Sequence, residues 1–239
     1  MLTIDSAQNT TFKKYLSLTG AKGLKKEGLF LLSGEKLVRE FLKKPNLPIV
    51  SELVTAKLKP LTKNAAQLST ALFNEVDVLG THFNILVVKQ PEIDVVEISQ
   101  HKPRGIEVVL PVGDPGNLGA LLRSCEAFGV ERVILTQEAA HPFLPKSVKA
   151  SAGSALRIGL LQGPALKDIP AQSMALDMQG TSLYSFRWPK DGLLVVGEEG
   201  AGLSQHFKQR ISIPTKNVES LNAVVAASIA LAHKSSTST

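Results

Sequence analysis

Three segments of this chain hold residues whose types and spacing could do chemistry. The first runs Asp114-Pro115-Gly116-Asn117-Leu118-Gly119 and continues to Gly129. At about 100° per residue, Leu118, Leu121, Leu122, Cys125 and Phe128 form one apolar stripe of a helix. Arg123 falls on the opposite side between the small residues Ala120 and Ala127, where its guanidinium can meet an anion. Asn117 is placed to cap that helix and Gly129 to end it. The second segment, residues 193–203, is an apolar strand that runs into a glycine-rich bend. Gly197, Gly200 and Gly202 let backbone groups approach a ligand closely. Glu198 and Glu199 beside them would repel a pyrophosphate, so the ligand suggested is neutral or cationic. The third segment, residues 211–227, is a strand stopped at Pro214, a short loop, and an apolar helix that opens at Ser220-Leu221-Asn222. Polar groups at the mouth of a buried helix are costly unless capped or used. Ser220 can act as the cap, which leaves Asn222 without a structural task. Taken singly, each segment also admits a plain structural reading: a solvent-facing arginine, an ordinary strand-to-helix loop, a helix cap.

The elements that must position these residues follow from periodicity. Residues 106–112, 133–135, 174–176 and 193–196 are short apolar runs of the kind buried parallel strands show, and 118–128 is helical. Residues 220–233 read as a helix that is apolar on nearly every face. Such a helix must be covered all round, and in so small a domain a second copy of the chain is the simplest cover, which predicts a homodimer. Nearer the start, 30–34 reads as a strand and turn, and 35–43 as a helix with Leu37, Val38, Phe41 and Leu42 at helical spacing. Residues 53–55, 76–79 and 85–88 read as further strands, which together suggest a small α/β layer. The polar stretch 91–105, with Pro91 and Pro103, reads as a linker between two domains, 1–90 and 106–239.

Charge separates the same two parts. Of the net +6, all falls in residues 1–90, which hold 13 Lys and Arg against 7 Asp and Glu; residues 91–239 are balanced at 14 of each. A basic segment on a neutral body suits a polyanion partner. Lys13, Lys14, Lys22, Lys25 and Lys26 would supply that affinity. One cysteine, Cys125, excludes an intrachain disulfide and fits a reducing compartment. The first residues lack the apolar core of a signal peptide, and the longest apolar stretch is about half a membrane span, so a cytoplasmic protein with no membrane partner is expected. The histidines are scattered, and no metal-ligand spacing is evident.

In this order, the three segments resemble the three signature motifs of the SpoU (TrmH-like) branch of the SPOUT methyltransferases. Residues 144–156 (LPKSVKASAGSAL) and 30–42 (FLLSGEKLVREFL) resemble two further segments of such proteins. The resemblance implies an α/β fold with a trefoil-knotted, parallel-sheet catalytic domain behind a small α/β, L30e-like substrate-binding domain. It implies S-adenosyl-L-methionine held by backbone around Gly197, Ile213 and Leu221, its sulfonium near Glu198 and Glu199. The matching catalytic positions are Asn117, Arg123, Glu199, Ser220 and Asn222. The activity implied is methyl transfer to a ribose 2′-hydroxyl of RNA by a homodimer, with ribosomal RNA ahead of transfer RNA. Rival readings are a base methyltransferase of another SPOUT branch, a tRNA 2′-O-methyltransferase and a non-catalytic RNA-binding protein on the same scaffold.

Overall fold

The computed structural model describes residues 1–197 and 207–237, and its chain divides into two compact units.

The first unit comprises residues 1–92 and 141–153. Its elements are β1 (Leu2–Ile4), α1 (Thr10–Ser17), α2 (Ala21–Glu27), β2 (Leu29–Leu32), α3 (Glu35–Lys43), β3 (Ile49–Val54), β4 (Ala65–Leu68), α4 (Thr70–Val76) and β5 (Ile85–Lys89). The strands form one mixed sheet in the order β1-β4-β3-β5-β2. β2 and β5 are buried along nearly their whole length, as their unbroken apolar runs require. Residues 76–79, expected as a strand, are instead the end of helix α4 and the turn after it. Ser69 caps that helix by accepting from the Leu72 amide, and Leu72, Phe73 and Val76 fall at helical spacing on its buried face. Val76-Asp77-Val78-Leu79, three apolar residues around one aspartate, carries too little pattern to separate the two periods. At Gly23, a Cβ would lie 2.0 Å from the Ser17 carbonyl oxygen, so the close packing of α2 on α1 requires glycine there. The carboxylate of Glu52, fully buried on β3, accepts from the backbone amides of Leu61 and Thr62 and from Asn84.

Residues 141–153, which lie inside the stretch read as a second domain, belong to this first unit. They contain the short helix α6 (Pro145–Ala150), which packs on β2, and Phe143, whose ring lies 5.2 Å from that of Phe30. Burial, and then the charge of Lys25, push the His141 imidazole down to about 4. The folded state therefore holds His141 neutral while the unfolded chain protonates it near its ordinary value. That contribution is complete above pH 6.5 and is lost as pH falls from there to about 4, at no more than about 1.4 kcal/mol per pH unit. Urea titrations between pH 7 and 4.5 should show this slope, and His141→Gln should flatten it.

The second unit comprises residues 93–140 and 154–239. Its strands are β6 (Asp94–Val95), β7 (Ile106–Leu110), β8 (Arg132–Leu135), β9 (Gly159–Gln162), β10 (Met174–Ser182), β11 (Gly192–Val196) and β12 (Gln209–Ser212). Its helices are α5 (Pro115–Ala127) and α7 (Ala223–Ser236). The sheet is parallel throughout, in the order β12-β10-β11-β7-β8-β9-β6. Val109, Ile134, Ala175 and Val195 pack into one buried cluster, while the alternate residues Val108, Val133 and Leu194 are also buried. Both faces of the sheet are thus covered, which explains why its strands read as unbroken apolar runs. The stretch read as a linker contributes β6 and the buried Ile98 to this unit. No described helix is long and apolar enough to cross a membrane.

Candidate active site

Sheet register sets where the three motif segments meet. β7 and β11 pair with Val109 opposite Val195, and β11 and β10 with Leu176 opposite Val196. β10 in turn pairs with β12, where Leu176 and Thr181 both lie opposite Ile211, so residues 177–180 bulge out of the ladder. All four strands run the same way. Gly197 after β11, Ile213 after β12 and the turn from β7 into α5 therefore share one edge, the carboxyl edge where open parallel sheets bind ligands.

Helix α5 starts by a device the sequence reading assigned to another residue. Its N-cap is Asp114, not Asn117: the Asp114 carboxylate accepts the Asn117 amide at 2.8 Å, with Pro115 at the first helical position. Asn117 sits one turn in and is half-buried, and among the described residues its side-chain amide has no hydrogen bond. The Asp-Pro pair was the signal that could have located the cap. Leu118, Leu121, Leu122 and Cys125 form the buried stripe as expected, with Phe128 half-buried at its end. Gly129, at φ +75°, takes the left-handed turn that ends the helix. Burial pushes the Cys125 thiol up to about 12, so it is inert as a nucleophile. Arg123 is exposed on the far side of the helix. α5 is anchored by Arg157, whose Nε and Nη2 donate to the two carboxylate oxygens of Glu126 at 2.6 and 2.7 Å. Those bonds hold the Glu126 carboxyl below its usual range.

Helix α7 packs against α5, and the Ser124 and Ser228 hydroxyls meet at 2.8 Å. α7 begins at Ala223, three residues later than its apolar pattern suggested. Its cap is Asn222, whose side chain accepts the amides of Val224 and Val225 at 2.9 and 3.4 Å. Asn222 thus has the structural task that the sequence reading gave to Ser220, and Ser220 is exposed in the loop before it. Ile213 and Leu221, at the two ends of that loop, are half-buried. Glu198 and Glu199, with residues 200–206, lie outside the described residues. Asn222→Ala should destabilise the fold by about 1 kcal/mol, through loss of the cap. Asn222→Asp should restore stability in a thermal melt. A melt unchanged by Asn222→Ala would rule out the cap.

The model of the SpoU rRNA Methylase family matches residues 106–232. The chain belongs to that family. Over 238 aligned residues it is 35% identical to ribosomal RNA small subunit methyltransferase G 2 of Syntrophobacter fumaroxidans. That match covers 95% of this chain and 48% of the relative, so the chain spans about half of the relative's length. It is 28% identical to the 23S rRNA (guanosine(2553)-2'-O)-methyltransferase RlmP of Bacillus subtilis, over 98% of this chain and 99% of that one. Its fold is similar to the SpoU methyltransferase AviRb from Streptomyces viridochromogenes in complex with AdoMet, at a TM-score of 0.80 and 23% identity, over 97% and 98% of the two chains. All three motif segments of this SpoU family chain fall inside the matched residues 106–232.

Proposed function

We propose that this chain is an S-adenosylmethionine-dependent RNA methyltransferase acting on a ribose 2′-hydroxyl, with ribosomal RNA as substrate. The observation that carries this reading is the carboxyl edge that gathers Asn117, Gly197 and Ile213, beside a helix pair that bears Arg123 on one member and starts at Asn222 on the other. RlmP, similar over nearly the whole length of both chains, is named as a 2′-O-methyltransferase, and AviRb was solved with AdoMet.

The residues at that edge suit this cofactor. Ile213 and Leu221 are apolar yet only half-buried, as the walls of an adenine cradle would be, and Gly197 has no side chain to obstruct one. Glu198 and Glu199 follow Gly197 in the chain and bring two negative charges. When bound, S-adenosylmethionine supplies a methyl group on a cationic sulfur. Arg123 stays protonated and so cannot accept the 2′-proton. It clamps the neighbouring phosphate or the alkoxide charge that develops as the hydroxyl reacts. Asn117, Glu199 and Ser220 orient the reacting groups, and Asn222 holds the start of α7. Much of the rate comes from positioning.

In the same reading, the second unit is the methyltransferase domain, knotted as the family resemblance implies. The first unit, residues 1–92 with 141–153, is an L30e-like RNA-binding domain. Lys13, Lys22, Lys25 and Lys26 are exposed for that purpose, while Lys14 and Lys26 lie 3.4 and 3.6 Å from Glu27. The protein works in the cytoplasm as a homodimer. A second copy would cover the apolar strip of α7, where Val225 is 46% exposed and Val224 and Ile229 are half-buried.

The test is transfer of a radiolabelled methyl group from S-adenosylmethionine to purified ribosomal and transfer RNA, followed by alkaline hydrolysis. A 2′-O-methyl group blocks cleavage at its own linkage, so the label should emerge from ribosomal RNA in alkali-resistant dinucleotides. Label in single nucleotides would mean base methylation, label in transfer RNA would change the substrate, and RNA binding without transfer would mean a non-catalytic binder.

A further inference from the structure

The second unit carries a line of rings and cations that the transfer chemistry does not use. Tyr184, Phe186 and Trp188 alternate along the loop between β10 and β11, with Arg187 between the last two and Lys190 just after them. The Trp188 indole N–H donates to His233 Nδ1 on α7 at 3.1 Å. The Tyr184 ring meets the His233 ring edge to face at 6.0 Å, and the Phe186 ring meets the Trp188 indole in the same manner at 5.2 Å. Four rings thus form one chain, Tyr184–His233–Trp188–Phe186, held in place by mutual contact and one hydrogen bond. Beside them opens a cavity of about 580 Å³, lined by Phe186, Arg187, Trp188, Lys190 and Lys234 among others, with no carboxylate among its described lining residues. Tyr184 is 71% exposed. Neither Arg187 nor Lys190 is held in an ion pair among the described residues.

The geometry points to a binding site for single-stranded RNA in this groove, one nucleobase stacking on the rings and adjacent phosphates meeting Arg187, Lys190 and Lys234. The volume falls in the range of ligand pockets, which is roughly 300–1,000 Å³. Rings beside cations are how single strands are held without reading their sequence, because every base has a π face and every linkage a charge. An apolar protein surface would leave Arg187 and Lys190 unmatched. A free nucleotide would use the pocket but would gain little from cations spread along it. This site rests on RNA being the substrate of the chain, not on which atom of that RNA is methylated.

Trp188 is the single tryptophan of the chain, so its fluorescence reports on this groove alone. Titrating the full-length protein with decauridylate should quench that fluorescence saturably, with weaker binding as salt rises. In R187A/K190A the affinity should fall about tenfold. The slope of log K against log salt should shrink by about 1.4, since each phosphate contact on a single strand contributes roughly 0.7. Circular dichroism and S-adenosylmethionine binding should match the parent protein, which guards against misfolding. Trp188→Phe should keep decauridylate binding, read by the anisotropy of an end-labelled oligonucleotide, while Trp188→Ala should weaken it. Uridine monophosphate that quenches as tightly as decauridylate would overturn the strand site in favour of a mononucleotide pocket. Quenching that is absent at saturating RNA, or unchanged affinity in R187A/K190A, would overturn it outright. Loss of methyl transfer with quenching intact would count against the enzymatic reading alone, and transfer without quenching against this site alone.

Discussion

Arg123→Ala should lower the rate of methyl transfer at least 10²–10³-fold, the usual cost of removing one preorganised charge-stabilising donor. The same change should leave the fold intact, because Arg123 is exposed on the side of α5 opposite its buried stripe. Surface substitutions of this kind stay within about 0.5 kcal/mol. S-adenosylmethionine affinity, read by calorimetry, should also stay within about twofold if the guanidinium meets RNA and not the cofactor. Arg123→Lys keeps the charge but loses the planar fork, so it should recover only part of the rate. Parent-like turnover in Arg123→Ala would remove this residue from the mechanism. A large loss of cofactor binding would move it into the cofactor loop.

The largest stability effect is expected at Glu107. This residue sits on β7 within the run 106–112 and is completely buried. One carboxylate oxygen lies 2.6 Å from His101 Nε2, and the other accepts from the Arg132 guanidinium and, at 2.8 Å, from the Arg104 amide. The carboxylate thereby ties residues 101–104 to the first residues of β7 and β8. Glu107→Ala would leave the Arg132 guanidinium, whose side chain is 25% exposed, without its carboxylate partner, and its Nε already lacks a hydrogen bond among the described residues. Removing one member of a buried pair costs about 3–5 kcal/mol, and the partial exposure of Arg132 puts this pair at the lower end. For a chain of this length that lowers the melting temperature by roughly 10 °C. Replacing both partners, as in Glu107→Leu with Arg132→Met, should cost less than Glu107→Ala alone, since no orphaned charge remains. A thermal melt of the two variants decides between an ion pair and simple loss of volume.

Glu107 also marks the boundary of what could be read in advance. The run 106–112 reads correctly as a buried parallel strand because one charge does not erase a mean apolar pattern. The partners that make that charge tolerable, at positions 101, 104 and 132, are visible only once the chain is folded. The same limit applies to the caps. Asn117 and Ser220 were reasonable cap residues by type, yet Asp114 and Asn222 do the capping, because a shift of two or three residues in where a helix begins changes which side chain reaches its first amides. Residues 76–79 failed for a different reason: so short a stretch, three apolar residues around Asp77, fits either period, and Ser69, seven residues upstream, decided for a helix.

From the linear pattern alone follow the parallel strands, the buried stripe of α5, the apolar character of α7 and the family resemblance, since each rests on residue types at short fixed intervals. Folding decided the rest. It joined 141–153 to the first unit, put β6 into the second sheet, set Ser124 against Ser228, and lined Tyr184, Phe186 and Trp188 up with His233. Those pairings link residues far apart in the chain, and no local periodicity encodes which distant groups an open parallel sheet and its packed helices bring within a few ångströms.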